Sequence, residues 1–193
     1  MDNKNSKKII GFDLDGVIID HTAIKIKLAE NFGYKLNPEQ TPSEVLKQIV
    51  SKEPLDKIKH LIYDCPETGL CQPLVAGSFR GLERIKGEGI SYFLISRRRA
   101  GSSLNLAMEL LKKHELWPEY FNGKNVFFVS RSEDKNLKAR ELGVTHYVDD
   151  ESEVLEKMPD VPNRFLFDKF NVWKDLDFCR RVATWEELTE FLV

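Results

Sequence analysis

Apolar and polar positions alternate in blocks that switch period along the chain. Ile9-Ile10-Gly11-Phe12 is a short apolar run that stops at Asp13-Leu14-Asp15-Gly16, and it predicts a strand ending in two carboxylates. Over residues 23–32 the apolar positions Ile24, Leu28 and Phe32 fall on one helical face, with Gly33 suited to the helix end. Thr41-Pro42-Ser43-Glu44 has the form of a capping box with Pro at the first helical position, ahead of Val45, Leu46 and Ile49. Leu55, Ile58, Leu61 and Ile62 predict a third helix over residues 54–63. Nothing in residues 21–72 reads as strand, so this stretch is expected to be a helical insertion after the first strand.

From Pro73 onward strands and helices alternate. Residues 78–86 predict a helix ending near Gly87 and Gly89. Residues 90–95 are an apolar run of buried-strand length that ends at Ser96 and Arg97-Arg98-Arg99. Leu104, Ala107, Met108 and Leu111 mark the next helix, and residues 125–129 a third strand. Residues 135–142 predict a short helix closed by Gly143, and residues 144–148 a strand that ends in Asp149-Asp150. A fifth strand is expected at 164–167 and a last helix at 184–192, where Thr184 and Glu187 fit a capping box. This order predicts an α/β fold with a doubly wound parallel sheet.

Composition narrows the function classes. The chain has 193 residues, 41% of them hydrophobic, and a net charge of −2. That fits one domain with an insertion, and gives no sign of a nucleic-acid or membrane partner. No apolar run is long enough to span a bilayer. Residues 1–8 are polar, read as frayed, and lack the apolar core of a signal peptide. Cys65, Cys71 and Cys179 are odd in number and widely spaced, without zinc-ligand spacing, which fits a reducing, cytoplasmic setting. No G-x-G-x-x-G follows the first strand and no G-x-x-x-x-G-K occurs, so neither a dinucleotide site nor a P-loop is indicated.

Candidate chemistry gathers at the predicted strand ends. Alternate strand residues share a face, so Asp13 and Asp15 are expected in one crevice at the carboxyl edge of the sheet. Paired carboxylates repel unless a cation or proton intervenes, and oxygen-only ligands favour Mg²⁺. Ser96, Lys135 and Asp149-Asp150 fall at later strand ends or just beyond them. Singly, Ser96 reads as a cap, Lys135 as a solvated charge and Asp149-Asp150-Glu151 as an acidic helix start. Together they suit phosphoryl transfer. Asp13 would attack phosphorus and Asp15 would exchange the proton. Ser96 and the backbone N–H of Arg97 would hold the transferring oxygens, and Lys135 would add positive charge.

The stretch Phe12-Asp13-Leu14-Asp15-Gly16-Val17-Ile18-Ile19-Asp20, with Ser96, Lys135 and Asp149-Asp150 following in order, resembles the four motifs of the haloacid dehalogenase (HAD) superfamily. The resemblance implies a HAD-like Rossmannoid core over residues 1–20 and 73–193, with a small helical C1-type cap over residues 21–72. It also implies Mg²⁺ held by the Asp13 and Asp150 side chains and the Asp15 backbone carbonyl, with Asp149 supporting. An acid two residues after the nucleophile marks the phosphatases and phosphomutases of that superfamily rather than its dehalogenases.

A narrower resemblance is to the 5′(3′)-deoxyribonucleotidase-like branch. It rests on Leu61-Ile62-Tyr63-Asp64 with Pro73-Leu74, on Val148-Asp149-Asp150-Glu151, and on Leu166-Phe167-Asp168-Lys169-Phe170-Asn171 with Arg181-Val182-Ala183-Thr184-Trp185. Lys169-Phe170 stands where that branch has Pro-Tyr, and Ser96-Arg97 where it has Thr-Ser or Thr-Ala. The expected partner is a small phosphorylated metabolite, a nucleoside monophosphate first. The alternatives are a sugar phosphate, a polynucleotide end, or a non-catalytic HAD-like binding module. Lys138 competes with Lys135 for one role. Arg97 to Arg99 fit either a second phosphate or nucleic-acid backbone, or a solvated loop. His21 either faces the cleft or begins a helix. Tyr63 and Trp117 are either stacking or core residues.

Overall fold

Each central strand is apolar at consecutive positions because both its faces are covered. Leu94, Val148, Phe165 and Phe167 pack into one cluster and Ile95, Tyr147 and Leu166 into another, as the two-residue period of a strand requires. The strands are β1 (Ile9–Phe12), β2 (Ser91–Arg97), β3 (Val126–Val129), β4 (His146–Asp149), β5 (Asn163–Phe167) and β6 (Arg180–Val182). The computed structural model describes residues 7–174 and 176–193. The polar start, expected to be frayed, lies outside the described residues up to position 6.

The sheet order is β3-β2-β1-β4-β5-β6, and every neighbouring pair is parallel. The chain runs from β1 to β2 and β3 on one side, then crosses to β4 on the other. Strand order therefore reverses between β1 and β4, and a crevice opens beyond their carboxyl ends. Helices α5 (Ser78–Gly87), α6 (Ser102–Lys113) and α9 (Trp185–Leu192) supply side chains to the first cluster, and α7 (Glu133–Glu141) and α8 (Ser152–Glu156) to the second. The doubly wound parallel α/β sheet expected from the sequence is the observed fold. No helix among the described residues is long and apolar enough to cross a membrane.

Between β1 and β2 lie α1 (Thr22–Glu30), α2 (Ser43–Ile49), α3 (Lys52–Tyr63) and α4 (Pro66–Gly69). Leu28, Leu36, Leu46, Leu55, Ile58 and Ile62 form a third apolar cluster, whose members all fall within residues 24–63. The two chain segments that join this insert to the sheet run side by side, with the Asp20 N–H donating to the Pro73 carbonyl at 2.8 Å.

Three short elements, α4, α8 and β6, carry no expectation in the sequence, because three to five residues show no period. The capping box expected at Thr41-Pro42-Ser43-Glu44 does not form. Pro42 takes the N-cap position without a side-chain cap, and the Thr41 hydroxyl donates back to the Pro38 carbonyl at 2.7 Å. Glu44 is buried, so its carboxylate needs partners, and it finds them across the fold. It accepts from the Ser152 hydroxyl at 2.8 Å and the Glu153 N–H at 2.7 Å. Glu44 thus caps the first turn of α8 from a different element. At α9 half of the expected box forms: Thr184 Oγ1 accepts from the Glu187 N–H at 3.1 Å, while the Glu187 carboxylate reaches one residue past the N-cap and accepts from the Ala183 N–H at 2.8 Å.

Candidate active site

The crevice at the switch point collects the charged residues of the strand ends. The Asp13 N–H donates to the Val148 carbonyl at 2.9 Å, which keeps Asp13 in line with the sheet beyond β1. Gly16 has a φ of +79°, in the left-handed region glycine tolerates, and the chain turns away there. Lys135, in the first turn of α7, places its ammonium 2.9 Å from Asp13 Oδ1 and donates to Asp149 Oδ2 at 2.7 Å. Asp149 Oδ1 accepts from the Glu151 N–H at 3.0 Å. Lys138 instead pairs on the surface with Glu141. Lys135 is therefore the lysine at the crevice.

Carboxylate oxygens of Asp13, Asp149 and Asp150 lie within 4.8 Å of one another. Burial, offset in part by Lys135 and reinforced by Asp13, pushes the Asp149 carboxyl up to about 7. Burial with Glu151 and Asp149 nearby drives Asp150 well above its usual range. Burial disfavours the Lys135 ammonium, but Asp13 and Asp149 outweigh it and hold the lysine protonated well above its usual pKa. The cluster carries more negative charge than one ammonium offsets. Its donors are all hard oxygens, so it fits a hard divalent cation.

Asp15 faces a different set. Its Oδ1 accepts from Arg98 Nη2 at 2.6 Å and from His21 Nε2 at 2.7 Å. Burial pushes its carboxyl up, yet Arg98 and His21 outweigh that and hold it at about 2. Because the ionised carboxylate only accepts, His21 donates through Nε2. His21 both precedes α1 and faces the crevice. Ser96 is fully buried, and its hydroxyl has no hydrogen-bond partner among the described residues. Arg97 turns its side chain to the rim, half exposed and donating to the Ser132 hydroxyl at 2.8 Å. Trp117 packs against the main core.

Arg98 is the arginine at the site, although the sequence drew attention to Arg97. Strand alternation carried one step past β2 puts Arg98 on the side of Ser96 and Arg97 opposite. Arg98 belongs to the Arg97 to Arg99 run marked in the sequence, whereas Lys25 carried no expectation. It is buried on α1, its ammonium donates to the Thr41 carbonyl at 2.9 Å, and it lines the cleft. Its signal was a lysine on the same helix face as Leu28 and Ala29. Lys169, in the Pro-Tyr position, donates to Asp20 Oδ2 at 2.7 Å and Thr22 Oγ1 at 2.9 Å, where the insert leaves the sheet. Asp13, Asp15, Lys25, Ser96, Arg98 and Lys135 border a cavity of about 880 Å³ between the sheet edge and the insert.

Three comparisons bear on this arrangement. The family model described as 5′ nucleotidase, deoxy (pyrimidine), cytosolic type C protein matches residues 7–193. No curated protein matches the chain. Among solved structures, a HAD hydrolase of family IA, variant 3, from Entamoeba histolytica is similar, with a TM-score of 0.64 and 16% identity. The alignment covers 96% of this chain and 99% of that one. A HAD family hydrolase from Deinococcus radiodurans, with bound phosphate and sodium, has a TM-score of 0.60 at 15% identity over 94% and 93% of the two chains. A haloacid dehalogenase-like hydrolase from Xanthomonas campestris has a TM-score of 0.60 at 11% identity over 95% and 93%. At such identities these likenesses establish the shared fold, whereas the family model spans nearly the whole sequence. The chain belongs to the cytosolic type C deoxy(pyrimidine) 5′ nucleotidase family, a HAD-superfamily family of phosphoric monoester hydrolases.

Proposed function

We propose that the chain hydrolyses a small phosphomonoester, with a nucleoside monophosphate as the first substrate class, through an aspartyl-phosphate on Asp13. The observation that carries this reading is the meeting of Asp13, Lys135 and Asp149-Asp150 in one crevice, with the unpartnered Ser96 hydroxyl beside them. The bound phosphate and sodium of the Deinococcus radiodurans relative fit the same class of ligand.

Mg²⁺ is the metal we assign, held by the side chains of Asp13 and Asp150 and the backbone carbonyl of Asp15. Both oxygens of Asp149 already accept hydrogen bonds, from Lys135 and Glu151. That suits Asp149 to a supporting part. Asp150 makes no hydrogen bond or ion pair among the described residues, which leaves it free to ligate. When bound, the metal supplies positive charge that lets a carboxylate approach a phosphate dianion.

The protein's own groups do the rest. An Asp13 oxygen attacks phosphorus as the ester P–O bond breaks. Asp15 gives a proton to the departing oxygen, then takes one from the water that attacks the aspartyl-phosphate, so its proton count is restored. In the structure Arg98 and His21 favour the ionised form of Asp15, the form that accepts the proton from water. A phosphate dianion in the crevice raises its pKa by like-charge repulsion and supplies the acid form. Ser96, the Arg97 N–H and Lys135 hold the transferring oxygens. The insert over residues 21–72 acts as the cap over the leaving group and shields the crevice from water. The cytosolic type of the family model supports a cytoplasmic setting.

The test is phosphate release from nucleoside 5′- and 3′-monophosphates and sugar phosphates, with Mg²⁺, with EDTA, and with Asp13→Asn. Metal-dependent release that Asp13→Asn abolishes is the expected result. Release that persists in Asp13→Asn overturns the nucleophile, and a preference for sugar phosphates overturns the substrate class.

A further inference from the structure

Four elements meet over Asp15. Asp15 itself follows β1, and Arg98 follows β2. His21 precedes α1, and Tyr63 ends α3, so the last two belong to the helical insert. Arg98 and His21 both donate to Asp15 Oδ1, at 2.6 Å and 2.7 Å, and both side chains are 2% exposed. Each also rests on the Tyr63 ring. The guanidinium carbon of Arg98 stands 4.7 Å from the ring centroid, and the His21 ring meets it edge-on at 5.5 Å.

This arrangement is asymmetric about the carboxylate. Two donors occupy Oδ1, so Oδ2 is the oxygen left to exchange a proton with a substrate. Proton transfer depends on placement to within a fraction of an ångström. An exposed aspartate samples several rotamers, whereas two buried donors on one oxygen fix χ1 and χ2 together. Arginine suits the position because its planar group donates in its plane while its face stacks on a ring, a fixed fork that a compact ammonium on a flexible stem does not reproduce. Burying a guanidinium is costly, and Arg98 Nε finds no partner among the described residues. The contact to Asp15 and the Tyr63 ring are what Arg98 gains in return.

We infer that Arg98 and His21, braced by Tyr63, are positioning residues that orient Asp15 for proton transfer to the leaving oxygen. The inference rests on the reading of Asp15 as the acid and base of the reaction. Because Tyr63 and His21 come from the insert, it also makes the orientation of Asp15 depend on where the insert sits. The competing role for Arg98 is to grip the substrate's phosphate directly, and the two roles respond differently to the leaving group.

The experiment compares kcat/KM on the best nucleoside 5′-monophosphate of the panel with kcat/KM on p-nitrophenyl phosphate. The alkoxide of the first needs a proton to leave, and the nitrophenolate of the second does not. Asp15→Asn is measured first, and a much larger loss on the nucleotide identifies Asp15 as the acid. Equal losses on the two esters in that variant mean that the reading of Asp15 has failed, whatever Arg98 does. Given the split, Arg98→Lys is expected to lose about 10- to 100-fold on the nucleotide and less than about threefold on the aryl ester. Tyr63→Leu gives the same split more weakly, and Tyr63→Phe, which keeps the ring, restores both rates. Thermal melting of each variant checks the fold. Equal losses on both esters in Arg98→Lys, or a split that Tyr63→Leu leaves untouched, overturn the inference.

Discussion

A Cβ on Gly16 would stand 2.1 Å from Oδ2 of Asp150 and 2.4 Å from its Cγ. The carboxylate of Asp150, the first residue after β4, is therefore packed onto the backbone of the turn after β1. Any side chain at position 16 displaces it, and the φ of +79° adds strain of about 1–2 kcal/mol for a residue other than glycine. Gly16→Ala is expected to weaken Mg²⁺ binding by about 10- to 100-fold, the effect of disturbing a ligand's support. Titration calorimetry with Mg²⁺ measures this without substrate. Unchanged affinity would exclude Asp150 as a ligand.

Ser96 separates stability from activity. Its hydroxyl is buried without a partner among the described residues, a state that costs about 1–3 kcal/mol in desolvation. Ser96→Ala removes that cost, so its melting temperature is expected to equal or exceed that of the wild type. In the proposed reaction the same change deletes a donor to the transferring oxygens, so kcat/KM is expected to fall by about 10²- to 10³-fold. A variant that melts lower and keeps its activity would make Ser96 a purely structural residue.

Lys135 behaves in the opposite way. It sits between Asp13 and Asp149, and removing it leaves two buried carboxylates uncompensated. Lys135→Met is expected to lose about 3–5 kcal/mol in urea unfolding. Millimolar Mg²⁺ is expected to restore part of that loss, because a cation among the same oxygens replaces the missing charge. Metal-independent instability would count against a cation site there.

His146 sets an acid limb to stability. Burial, with Lys8 nearby, holds its pKa at about 4 against an ordinary 6.5. The native state therefore keeps His146 neutral where the unfolded chain protonates it. As pH falls from 6.5 toward 4 the unfolded state binds the extra proton, so stability drops across that window and the drop stops below it. Above pH 6.5 the contribution is fully present. His146→Gln is expected to lower the pH dependence of the urea midpoint between about pH 7.5 and about pH 5. An identical slope in the variant would show that other groups carry the acid limb.

The sequence determined the sheet and the roster of groups at its edge. Apolar runs in β1 and β2 announced strands covered on both faces, and β1, β2 and β4 each ended at a polar residue: Asp13, Ser96 and Asp149. Those signals are local, set by the two-residue period of a strand and by the cost of burying charge within one.

Tertiary structure decided the rest. Lys135 and Lys138 are both helical lysines at equivalent spacing, and only packing against Asp13 and Asp149 distinguishes them. Glu44 has the sequence of a local cap, yet its burial against α8 sends it to Ser152 and Glu153. His21, Tyr63 and Arg98 span 77 positions, and nothing along the chain links them. They meet because the insert folds its α1 and α3 ends back over the carboxyl edge of the sheet. A carboxylate can be read from its place in a strand pattern. The partners that fix its orientation come from whatever the fold brings within 3 Å, and hydrogen bonds and charge contacts of that range leave no period in the sequence.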